Sequence, residues 1–184
     1  MNGRKSHAPV LIFTYGNPSR GDDALGPAMY DLLEKYKHET SKLDGVDLLT
    51  DYQLQIEHAV DLEHRELVIF VDACVSSPGP FGFHELQAER DESYTTHAMS
   101  PAAVLDVFRQ INHCDPPLAY LLKIRGYEFE LGQDISEQAK ENLQQAFEFI
   151  TNTISNDAGW HYALNRYFTE IETDGNGSRN RAVF

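Results

Sequence analysis

Tyr15-Gly16-Asn17-Pro18-Ser19-Arg20-Gly21-Asp22-Asp23-Ala24-Leu25-Gly26 joins an apolar run, Val10 to Tyr15, to a periodic segment that begins at Leu25. Glycines at 16, 21 and 26, with Asn17, Pro18 and Ser19 between them, predict a strand-to-helix turn. Val10–Tyr15 lacks clean alternation, the pattern of a strand buried on both faces. Leu25, Ala28, Met29, Leu32, Leu33 and Tyr36 fall on one helical stripe. Two adjacent carboxylates, Asp22 and Asp23, precede this helix, where its dipole and unpaired N–H groups favour negative charge. One carboxylate suffices for a cap, so the second invites another role.

Outward from this turn, strands and helices alternate. Val46–Tyr52 reads as a second strand, and Gln55–His64 as a helix with Ile56, Ala59 and Val60 facing inward. Leu67-Val68-Ile69-Phe70-Val71-Asp72-Ala73 is the strongest buried strand and finishes on a carboxylate. A Ser/Pro/Gly loop at 76–80 leads to a further strand, Phe81–Gln87. The polar stretch 91–99 contains His97 and reads as a long loop. Ser100 as N-cap and Pro101 at the first position open a helix to Asn112 that buries Val104, Leu105, Phe108 and Ile111. Leu118–Arg125 is another strand, stopped by Gly126. A long helix, with Ser136 near its start, carries Ile135, Ala139, Leu143, Ala146, Phe147, Ile150 and Ile154 on one side.

This pattern predicts an α/β fold of three layers, a twisted, mainly parallel sheet with helices on both faces. Residues 1–155 form the domain. Residues 156–184 read as a C-terminal extension, first a short amphipathic helix carrying Trp160, Leu164, Tyr167, Phe168 and Ile171, then a flexible end.

A net charge of −14 over 184 residues argues against non-specific nucleic-acid binding and against adhesion to anionic membranes. No apolar run reaches transmembrane length, and the first residues lack the apolar region of a secretory signal. Cys74 and Cys114 stand far apart, as free thiols of a reducing compartment do. The expected location is the cytoplasm.

In parallel sheets, ligands bind beyond the carboxyl ends of the strands. Asp22-Asp23 follows the first strand, Asp72 ends the strongest one, and His97 precedes the Ser100-Pro101 helix. Two carboxylates and an imidazole meeting there would make an open metal site with oxygen and nitrogen donors. Each residue also has a plainer reading: a helix cap for the aspartates of the turn, backbone hydrogen bonds for Asp72, and a solvated surface group for His97. The glycine spacing fits neither a dinucleotide fingerprint nor a P-loop. Glu57, His58, Asp61 and His64 read as solvated charge. Cys74 is a thiol nucleophile if His97 lies beside it, and otherwise a small buried residue.

Four segments in order resemble the nickel-iron hydrogenase maturation endopeptidases. Gly16 to Gly26 is similar to that family's opening Gly-Asn-x-x-x-x-Asp-Asp/Glu-x-x-Gly signature, with Ala24 where glycine is common. Leu67–Ala73 is similar to its strand ending in Asp-Ala, and Thr96-His97-Ala98-Met99-Ser100-Pro101 to its histidine loop. The strand ending at Gly126, with Glu128 after it, resembles a weaker segment. The resemblance implies a cytosolic monomeric protease that trims the C-terminus of a hydrogenase large-subunit precursor once nickel has been inserted. It implies Asp23, Asp72 and His97 as metal ligands, with nickel delivered by the substrate and another divalent ion able to occupy the site. Asp23 or Asp72 serves as general base unless the metal itself activates water, and Gly16, Asn17 and Asp22 form the substrate-side loop. A non-cleaving, nickel-checking chaperone and a thiol hydrolase using Cys74 and His97 are the alternatives.

Overall fold

The computed structural model describes residues 7–90, 99–155 and 159–174. Within them β1 (Val10–Tyr15), β2 (Val46–Asp51), β3 (Leu67–Cys74), β4 (Phe81–Leu86) and β5 (Leu118–Arg125) form a five-stranded sheet ordered β2-β1-β3-β5-β4. β2, β1, β3 and β5 run parallel, while β4 is antiparallel to β5. The exception has a simple cause. No helix separates β3 from β4, so the chain is never carried back to the other edge before β4 begins.

Among the described residues four α-helices, α1 (Leu25–Glu39), α2 (Pro101–Asn112), α3 (Glu137–Ile154) and α4 (Trp160–Asp174), cover the sheet. β1 and β3 bury both faces, which is why they show no alternation in sequence. Val10, Ile12, Leu67, Ile69, Val71, Leu122 and Ile124 face a core shared with α1, α3 and Leu164 of α4. Leu11, Phe13, Val68, Phe70, Ala119 and Leu121 face a second core closed by α2 and residues 54–62. The three-layer α/β arrangement is the one the alternating pattern predicts.

The helix starts follow from local chemistry. Ser100 Oγ accepts the Ala103 N–H at 3.1 Å and Pro101 occupies the first turn of α2; Ser136 Oγ does the same for Ala139 at 3.3 Å.

Two expectations need correction. Residues 56–62 form a 3-10 helix, whose three-residue turn aligns Ala59 with Leu62 on the buried side. Val60 points away, and Ile56, at the segment's first position, remains exposed. In α2 the buried stripe ends at Phe108, one turn before the helix does, so Ile111 is exposed.

Candidate functional site

Gly26 begins the site's construction. A Cβ there would stand 2.1 Å from the Tyr15 carbonyl oxygen, so glycine lets α1 start directly against the end of β1. Gly16 has φ +147°, and a Cβ on it would meet the Asp23 carbonyl oxygen at 2.1 Å. The turn therefore folds back on itself, and the Asn17 N–H donates to Asp23 Oδ2 at 3.2 Å. Asn17 Oδ1 in turn accepts the Ser19 N–H at 2.9 Å. Asn17 thus shapes the loop.

The two adjacent carboxylates have different fates. Asp22 is fully buried. Its oxygens accept the N–H groups of Tyr127 (2.6 Å), Glu128 (3.0 Å) and Ser136 (2.7 Å), and the Ser136 hydroxyl at 2.9 Å. Burial alone would raise this carboxyl, but the hydrogen bonds from Glu128, Tyr127 and Ser136 outweigh it and hold Asp22 below the usual carboxylate range. Asp22 therefore acts as a residue of the turn, and its buried carboxylate is not presented to a substrate. It knits the opening turn to the loop between β5 and α3, and it serves the start of α3 rather than of α1. The Asp22 N–H donates to the Glu128 carbonyl at 2.7 Å, and Arg20 Nε to the Phe129 carbonyl at 2.9 Å. Glu128 itself is exposed and contributes backbone.

Asp23 is half-buried and faces the carboxyl edge, where its negative charge reaches Asp72. Asp72 sits on the α2 side of β3, one step beyond the apolar row Phe13, Phe70 and Leu121. Burial, with the repulsion of Asp23 added, pushes its carboxyl up to about 6; the Tyr15 hydroxyl, the Ala73 N–H and the Lys123 charge oppose the rise. The Tyr15 phenol is driven far upward by burial and by the same carboxylate, so it remains a proton donor to Asp72. Two carboxylates whose charges interact at a sheet edge favour a cation beside them, and carboxylate oxygens suit a divalent metal.

The pair straddles a switch point. β1 is followed by β2 on one side, and the chain then crosses to β3 on the other, which opens a crevice between the β1 and β3 loops. Asp23 comes from the loop after β1 and Asp72 from the carboxyl end of β3. His97, the expected third ligand, lies outside the described residues. Among the described residues no three His, Cys, Asp or Glu side chains gather to hold a metal. The segment that follows His97 is anchored, because the Met99 N–H donates to the Leu54 carbonyl at 3.2 Å.

Cys74 is half-buried, and burial raises its thiol above the ordinary range. A thiol that retains its proton is a poor nucleophile. His58 departs from the solvated reading: it is half-buried, its Nδ1 accepts the Gln55 N–H at 3.0 Å, and its Nε2 lies 3.2 Å from Asp51 Oδ2. Tyr15 and Lys123 were not singled out by sequence. The signal for Lys123 was present, a lone charge inside the apolar run Leu118–Ile124.

No protein-family model and no curated protein matches the sequence. Solved structures do match. The [NiFe] hydrogenase maturation protease HycI from Thermococcus kodakarensis is 22% identical with a TM-score of 0.62, covering 83% of this chain and 96% of that one. The hydrogenase maturating endopeptidase HybD from E. coli is 21% identical at 0.59, covering 79% and 91%. The hydrogenase 2 maturation peptidase from a Thaumarchaeota archaeon is 23% identical at 0.57, covering 79% and 97%. The chain has the fold of these proteases.

Proposed function

We propose that this chain is an endopeptidase that removes a C-terminal peptide from the nickel-loaded large-subunit precursor of a nickel-iron hydrogenase. The observation that carries the reading is the Asp23–Asp72 pair across the β1/β3 switch, two carboxylates whose repulsion a cation would relieve. A fold shared with proteins named as hydrogenase maturation proteases supports it. So does the resemblance of the opening turn and of the His97 loop to the signatures of that family.

Asp23 and Asp72, joined by His97, would hold the ion that the substrate carries in. Held by these residues, nickel would serve as a recognition element and would supply Lewis-acid character to the site. The chain's own residues do the rest. The Tyr15 hydroxyl fixes the orientation of Asp72, the Asn17 N–H fixes that of Asp23, and a carboxylate of the pair takes a proton from the attacking water. No described helix is long and apolar enough to cross a membrane. We place the protein in the cytoplasm with its precursor, acting as a single copy.

The test is mass spectrometry of the precursor after incubation with the purified protein. Nickel-loaded precursor should lose a C-terminal fragment, nickel-free precursor should not, and D72A or H97A should slow cleavage by about a hundredfold or more. Nickel-loaded precursor that keeps its mass while forming a stable complex would replace the protease with a chaperone. Unchanged cleavage by C74S would exclude the thiol hydrolase.

A further inference from the structure

Lys123 projects from the same face of the sheet as Asp72. The two residues are register partners on the parallel strands β3 and β5, and neighbouring strands lie about 4.8 Å apart. Leu121, two residues earlier and on the same face, belongs to the α2-side core, so Lys123 stands one step nearer the carboxyl edge, as Asp72 does beyond Phe70. On its other side the register partner is Gly82, which has no side chain to pair with it. The residue is half-buried, and its charge is felt by Asp72, Cys74 and His84. Among the described residues it makes no hydrogen bond and no close ion pair.

An ammonium that makes no ion pair at this edge keeps its three N–H donors available to a group entering the crevice. A counter-ion for Asp72 would be expected to close onto it. Instead, carboxylate and ammonium rise side by side with the width of one peptide group between their strands.

We propose that Lys123 is a catalytic residue, the donor to the carbonyl oxygen of the bond being cut. This rests on the endopeptidase reading above. In the step, the oxygen of a water molecule forms a bond to the carbonyl carbon, and the carbonyl electron pair moves onto oxygen. One water proton passes to a carboxylate of the Asp23–Asp72 pair, and the Lys123 ammonium donates a hydrogen bond to the new oxyanion. When the pair returns, the carbon–nitrogen bond breaks and the proton passes from the carboxylate to the departing amine. The products are a carboxylic acid and an amine, and water is the sole co-reactant. A preorganised donor aimed at developing charge in a partly dry site contributes about 10²- to 10³-fold in rate.

The experiment compares the full-length wild type with K123M and K123R on nickel-loaded precursor, measuring kcat and KM across pH. K123M should lower the plateau kcat by about 10²- to 10³-fold with KM changed by less than about threefold, and K123R should recover part of the loss. A K123M plateau equal to wild type, with only the acid limb displaced, would make Lys123 a counter-ion of Asp72 and overturn the proposal. K123Q, which retains a polar head, replaces K123M if circular dichroism shows the latter unfolded, and the same plateau criterion applies. If the wild type leaves the precursor uncut, the protease reading fails and this inference with it; an active wild type with an unimpaired K123M removes only the role of Lys123.

Discussion

Asp22 and Asp23 are neighbours in sequence and opposites in structure. Asp22 is buried under four donors from the β5–α3 connection, whereas Asp23 accepts a backbone N–H and turns its remaining charge toward Asp72. Replacing Asp22 by alanine strands buried donors, each worth about 1–3 kcal/mol. With partial rescue by water, D22A should cost about 3 kcal/mol and lower Tm by roughly 10 °C, as read by thermal unfolding. The pH dependence has a definite sign. Because the folded carboxyl titrates below its unfolded value, its contribution is complete above about pH 4 and is lost as pH falls through the folded pKa. D22N should therefore be less stable than wild type at neutral pH, and the difference should shrink in acid. An equal deficit at pH 7 and pH 3 would contradict this account.

At the scale of elements, α4 is the addition to be explained. Leu164 is 2% exposed within the α1/α3-side core. Tyr167 and Phe168 pack on Phe83 with ring centroids 5.9 and 6.1 Å away, and Phe168 lies 5.4 Å from Tyr120. The helix thus covers the outer strands β5 and β4 on the face opposite Asp72 and Lys123. L164A should cost about 3 kcal/mol in urea unfolding, yet cleave the precursor at the wild-type rate at a temperature where it stays folded. Loss of activity in a folded L164A would show coupling between α4 and the site. Sequence periodicity predicted the core-facing stripes of α1 and α3, and that of α4 from Trp160 to Phe168, because a continuous helix repeats every 3.6 residues; the side chain of Ile171 lies outside the described residues. Periodicity failed at residues 56–62, where a three-residue turn altered which side chains face inward.

At the scale of the whole molecule, the sheet order puts the Asp23 loop and the Asp72 end of β3 on either side of one crevice. Two carboxylates placed there repel each other, a cost in stability that the proposed function would account for. D23N retains an oxygen for the Asn17 N–H and removes the repulsion. It should abolish processing while leaving Tm unchanged or raised by roughly 1–2 °C. A fall of several degrees would instead place Asp23 in the scaffold, beside Asp22. By itself, the amino-acid sequence determined the strands β1, β3 and β5, the helix starts at Ser100 and Ser136, and the candidacy of Asp23 and Asp72, because burial period, capping chemistry and turn composition are local. Only the tertiary structure decided which distant backbone groups the Asp22 carboxylate binds, why β4 runs backwards, and that Tyr15 and Lys123 flank Asp72. Those outcomes depend on strand order and register, which bring together residues 50 to 110 positions apart and leave no periodic trace in the chain.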